Sequence, residues 1–220
     1  DDWCLAGDGV APCGRGALHV GGNLRLSSDL GVSVGTDVRV GGDATLGAGL
    51  LLASHSTAVV GGTLRLVRGA LVVGTEVPLH VGGDVRVADE LVLDSSAELV
   101  ANGSLGAASL GVAPRDVREG AISADVAIGS TLYVVQDVAI RGEVRLGYKA
   151  QMIVDGNASI GELTRNAADD GSSSSNGEVH VGGTLEVTQG NLYLGDCAVL
   201  VVHHLHVDHG IDLGYKMHFA

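Results

Sequence analysis

The nine residues Leu79 to Val87, LHVGGDVRV, decide the fold of this chain, because their pattern, apolar-x-apolar-Gly-Gly-x-apolar-x-apolar, returns along it at a regular interval. Leu18 to Leu26 (LHVGGNLRL), Val38 to Leu46 (VRVGGDATL), Ala58 to Leu66 (AVVGGTLRL) and Val179 to Val187 (VHVGGTLEV) repeat it with the glycine pair intact. Leu99 to Ala107, Leu132 to Ile140, Met152 to Ile160 and Val199 to Val207 keep the apolar alternation while the pair degrades. The third position of the copies falls at Val20, Val40, Val60, Val81, Ala101, Val134, Val154, Val181 and Val201, so the steps are 20, 20, 21, 20, 33, 20, 27 and 20 residues. The base period is 20.

Between copies lies a third apolar-x-apolar segment followed by Gly: Val32-Ser33-Val34, Leu71-Val72-Val73, Val126-Ala127-Ile128, Leu192-Tyr193-Leu194 and Ile211-Asp212-Leu213. Each period thus holds three short strands whose alternate side chains point inward, with glycine supplying a positive φ or a cramped corner between them. Short strands stacked at this period form an all-β, single-stranded parallel β-helix of about nine to ten coils. A period of 20 to 21 residues with insertions favours the right-handed class. The two long steps place loop insertions near 107–124, with Pro114 and charged neighbours, and near 166–177, with the run Ser172 to Ser175. Residues 1–17 precede the repeat as an N-terminal cap, and 18–220 form the β-helix.

Composition agrees. There are 35 Gly against 3 Pro, 45% hydrophobic residues and 3% aromatics, with a mean hydropathy of +0.31. That excludes collagen and a disordered linker, and leaves Val, Leu, Ile and Ala to fill the interior. With 13 Lys and Arg against 26 Asp and Glu the net charge is −13, so nucleic acid and anionic membrane surfaces are not expected as partners. No apolar run reaches the roughly 18 residues of a membrane helix, so direct insertion is not expected either.

The stretch Val126 to Gly161, VAIGSTLYVVQDVAIRGEVRLGYKAQMIVDGNASIG, resembles the bactofilin type of polymer-forming β-solenoid, whose coils run apolar-x-apolar-Gly-x with small corner residues. The likeness extends over the repeat region, Leu18 to Phe219. It implies a rod that polymerises end to end without nucleotide. Bactofilins are intracellular and lack an N-terminal Cys pair, and both features set this chain apart.

Residue 1 is Asp rather than Met, so a signal peptide, pro-segment or longer parent is expected ahead of it. Cys4 and Cys13 are spaced for a disulfide that closes the cap, which points to a secreted, cell-surface or luminal setting. The sequons at Asn102 and Asn157 agree with that setting. No catalytic set and no cofactor motif is found. The metal candidates are His204 and His206, two residues apart on the outward side of one strand, with Glu186 stacked under His206. Asp43, Asp84, Arg65 and Arg86 imitate a lyase site, but they read better as a charge-paired, solvated wall.

The outward positions of the third strand carry Leu51, Val72 and Val92 in consecutive coils, and Val59 and Val100 add apolar side chains on the first. An apolar patch on an acidic protein suggests a cover, either the 107–124 insertion or a partner. Met217 and Phe219 lie where the last coil leaves its interior open. The expected role is a non-catalytic structural rod, a subunit of a larger assembly or filament that contacts a protein partner or a second copy. The alternative is a cell-surface adhesin or glycan-binding module, and third is a polysaccharide-acting β-helix enzyme.

Overall fold

The computed structural model describes residues 3–6, 9–12, 16–107, 124–126, 129–147, 149–165, 177–194, 197–213 and 218–219. Among them every regular element is a strand, and every pairing is parallel except that of the hairpin Trp3–Ala6 with Gly9–Pro12. The chain is an all-β parallel solenoid of about eight coils of some 20 residues, with three strands per turn. This is slightly fewer than nine to ten, because the end copies do not close: Leu18, Val20, Leu24 and Leu26 are only partly buried in the first, and Ile211 and Leu213 are exposed in the last.

Three sheets run the length of the coil. The first face begins with Ala17–Val20, Asp37–Val40, Thr57–Val60 and Pro78–Val81. The second begins with Leu24–Leu26, Ala44–Leu46, Leu64–Leu66 and Val85–Val87, and the third with Leu30–Val32, Leu50–Leu52, Leu71–Val73 and Leu91–Leu93. In later coils single strands run through a corner, as in Val138–Leu146, Glu178–Val187 and Val199–Val207. Alternation along each strand buries every second side chain, and parallel in-register stacking turns those positions into continuous columns: Leu50, Leu71 and Leu91 pair in succession, all buried. No internal coil can therefore lose an inward side chain without leaving a gap between its two neighbours.

The structure moves the third-face strand at two points. It begins at Leu30, not Val32, and at Ala124, not Val126; Val34, expected inside, is 55% exposed. In the last long strand Val181 pairs with Val202 rather than Val201, because the single residue His203 stands where the preceding coil has Gly182 and Gly183. The slip by one reverses faces, so that Leu200, expected outside, is buried.

Two kinds of corner shape the coil. Between the third and first faces, the N–H groups of Thr36, Ser56, Val77, Ala97 and Ala150 donate to the carbonyls of Ser33, Ala53, Gly74, Asp94 and Gly147. The residue before each donor has positive φ: Gly35, His55, Glu76, Ser96 and Lys149, from 56° to 70°. These are type II turns, which need that conformation at their third residue. The glycine pairs between the first and second faces answer a different demand. None of them has positive φ. A Cβ on Gly61 would stand 2.3 Å from the carbonyl oxygen of Gly41, and one on Gly62 would stand 2.2 Å from Oδ1 of Asp43, whereas at Gly21 and Gly22, with no described coil beneath them, nothing lies within 4 Å. The pairs are glycine because consecutive coils pass too close for a side chain.

Candidate interaction surfaces

The corner that requires glycine also organises the polar residues beside it. Oδ1 of Asn23 accepts the N–H of Asp43 at 2.8 Å, and Oδ1 of Asp43 accepts that of Thr63 at 2.8 Å. Further along, Oδ1 of Asp84 accepts from Ser104 at 3.0 Å, that of Asp137 from Asn157 at 2.8 Å and that of Asn157 from Thr184 at 2.9 Å. Each bond joins a coil to the next. The sequence did carry a signal for this ladder, an Asn or Asp at the sixth position of five repeat copies, directly after a glycine pair at Asn23, Asp43 and Asp84, but only the register shows that its oxygen reaches the neighbouring backbone.

The Asp84 carboxyl is held below the usual aspartate range, first by the Ser104 N–H and then by the Arg86 guanidinium 2.8 Å away. Asp43 and Asp84 each have an oxygen committed to the ladder, while Arg65 lies in register beside Arg86 on the adjacent coil. The four residues thus share one wall, with one oxygen of each carboxylate held by the backbone of the next coil.

The apolar residues fall into two columns on different faces. Leu51, Val72 and Val92 are direct neighbours on the third face, preceded by Gly31 and followed by Asp125, where the sequence pattern had suggested Ser33 and Ala127. Leu51 is 51% exposed, and Val72 and Val92 are half-buried in the flat sheet. Val59 and Val100 lie on the first face with His80 between them, so the two columns are separated by a corner.

The two ends differ. At the start of the chain the hairpin adds a strand to the third face through Val10, opposite Leu30. Cys4 stands opposite Ala11 in that hairpin, and Cys13 lies outside the described residues; no disulfide is found among the described residues, and Cys197 is a free, exposed thiol. At the other end His218–Phe219 pairs with Val199 and Leu200 on the first face. Met217 lies outside the described residues, and Phe219 is placed by its backbone alone. The interior opens through other residues: Leu205, Ile211 and Leu213 are 36%, 51% and 43% exposed.

Two histidines of the first face sit beside carboxylates on its surface, His19 3.5 Å from Asp37 and His180 3.7 Å from Glu178. The stacking of Thr184 against His204 and of Glu186 against His206 is as the repeat implied. Among the described residues no three metal-ligating side chains surround a common point. No helix among the described residues is long and apolar enough to cross a membrane. No protein-family profile, characterised protein or solved structure matches this chain.

Proposed function

We propose that this chain is a non-catalytic structural rod that joins a larger assembly through the open face of its last described coil. The observation that carries this reading is the exposure of Leu205, Ile211 and Leu213, three side chains on the inward side of their strands. Among the described residues no strand covers these side chains, and both the apolar surface and the strand edges beside it are satisfied by a further layer of β-structure. Engagement of the carboxylates Asp43 and Asp84 in holding coils together supports a structural role over an enzymatic one. The occupant proposed is a second copy of the rod or a protein partner, and repetition of the contact would give the filament that the bactofilin resemblance implies.

A disulfide between Cys4 and Cys13, and a secreted or luminal setting, belong to the same proposal and are tested by mass spectrometry of unreduced protein. The association itself is tested by sedimentation of the purified chain beside Ile211→Lys and Leu213→Lys variants, whose side chains are exposed and need not be accommodated in the core. Association lost in both variants, with the thermal transition retained, is the expected result. Association unchanged in both refutes the open-end reading and transfers attention to Leu51, Val72 and Val92.

A further inference from the structure

The ladder that binds coil to coil is interrupted wherever its column carries Thr or Ser, at Thr63 and Ser104 inside the solenoid and again at Thr184, where the corner also changes. Asn157 reaches the N–H of Thr184, but Thr184 has no side-chain carbonyl oxygen to offer the residue stacked on it, His204. At the same place the corner is one residue shorter and the pairing register shifts between Val181 and Thr184. The terminal coil is thus attached to the coil before it without the side-chain staple found at Asn23, Asp43, Asp84, Asp137 and Asn157. This is also where the histidines concentrate: His203, His204, His206 and His209 are all exposed.

His204 and His206 occupy the same side of their strand, since side chains alternate with a period of two. Two imidazoles spaced this way, roughly 6 to 7 Å apart at the backbone, can close on one cation whose bonds to nitrogen are about 2.0 to 2.1 Å. Glu186 pairs in register with His206 on the adjacent coil and is exposed, so its carboxylate can reach the same point. Oδ1 of Asp208 lies 2.9 Å from Nε2 of His206. That contact leaves Nδ1 of the ring for a cation and fixes the orientation of the imidazole, the part that carboxylates play behind metal-bound histidines. Because the three ligands are exposed and do not yet converge, binding orders side chains that are otherwise free to rotate.

We propose that His204, His206 and Glu186 form a site for a divalent transition cation of the zinc, nickel or copper class, and that the bound ion staples the last coil to its neighbour in place of the missing ladder bond. Imidazole nitrogen with one carboxylate suits these borderline cations and not calcium or magnesium, which need oxygen ligands. The cation acts across two coils, because Glu186 belongs to one and both histidines to the next. Its effect therefore appears in the order of the terminal strand.

The test is titration of the chelator-stripped chain with zinc chloride against a chromophoric competitor, together with hydrogen exchange of the amides of Val202–Val207. A single zinc ion per chain is expected, with slower exchange across that segment. His204→Ala and His206→Ala each weaken binding by about tenfold or more, and Asp208→Asn by about tenfold. Glu186→Gln abolishes the protection against exchange while leaving weakened binding, because the two histidines remain on one strand. The proposal is overturned if His206→Ala binds zinc as tightly as the parent chain, if His203→Ala or His209→Ala weakens binding as much as His204→Ala, or if zinc binds without altering exchange.

Discussion

Replacing Gly61 by alanine, with Gly21 as its control, isolates the physical reason for the repeated glycine pair. Both residues are the first glycine of a pair at the same corner, and neither has positive φ. They differ in what lies beneath. The added methyl at Gly61 meets the Gly41 carbonyl oxygen at 2.3 Å and its carbon at 3.0 Å, whereas at Gly21 it meets nothing within 4 Å. Relieving that clash parts the coils by about 1 Å, given ordinary carbon contacts near 3.5 Å. Parting them strains the bonds from the Gly61 N–H to Val40 and from the Gly62 N–H to Gly42, now 2.8 and 2.9 Å.

Two such bonds contribute about 1 kcal/mol each, and forcing extra volume into a packed site costs about 1 to 3 kcal/mol. Stiffening of the unfolded chain offsets about 0.4 to 1 kcal/mol. Gly61→Ala should therefore destabilise by about 2 to 4 kcal/mol, a fall in Tm of about 5 to 15 °C for a chain of this size. Gly21→Ala keeps only the unfolded-state effect and should be neutral or more stable by up to about 1 kcal/mol. Thermal unfolding followed by circular dichroism, with urea midpoints as a check, measures both. Equal shifts in the two variants would refute the argument from clearance.

The ladder gives a second contrast: Asp43→Asn keeps the accepting oxygen and should leave the urea midpoint nearly unchanged, while Asp43→Ala removes the bond to Thr63 and should cost about 1 kcal/mol or less. A third concerns acid. The Asp37 carboxyl is lowered first by the Thr57 hydroxyl and then by Arg39, that of Asp84 by the Ser104 N–H and Arg86, and that of Glu143 by Arg145 and then Thr164, from ordinary values of 3.8 for the aspartates and 4.5 for the glutamate. A carboxyl whose pKa is depressed by folding contributes stability that is complete above its unfolded value and is lost as pH falls through its folded value. Urea midpoints should thus be level near neutrality and decline below about pH 5, with Asp84→Asn reducing the slope. Finally, the buried hydroxyl of Thr36 has no hydrogen-bond partner, whereas that of Ser56 donates to Ala53 at 2.6 Å. Thr36→Val should raise stability by about 1 kcal/mol and Ser56→Ala should lower it by about as much, read from the same denaturation curves.

The C-terminal end shows where reading by pattern stops. The alternation in VLVVHHLHV allows either register for its first half, and comparison with VHVGGTLEV placed Val201 opposite Val181. The folded chain takes the other register, with Val202 opposite Val181, because one residue at the corner replaces two. The second half, after the corner, recovers the expected pairing of His204 with Thr184 and His206 with Glu186. The third-face strands at Leu30 and Ala124 differ in another way: they start two residues earlier along the same alternation, at the positions that the steps of 20 residues from Leu50 and 33 from Leu91 indicate.

Taken by itself, the sequence determined the fold class, the period, the three strands per coil, the two lengthened steps, and most inward columns. Those properties are local, since alternation and spacing are written into consecutive residues of one coil. Tertiary structure alone decided why the pairs must be glycine, where the Asn and Asp oxygens go, which of two frames is buried, and which interior leucines and isoleucines remain uncovered. Each of these depends on the atoms of the adjacent coil, about 4.8 Å away but some 20 residues distant along the chain, so no single stretch of sequence contains the answer.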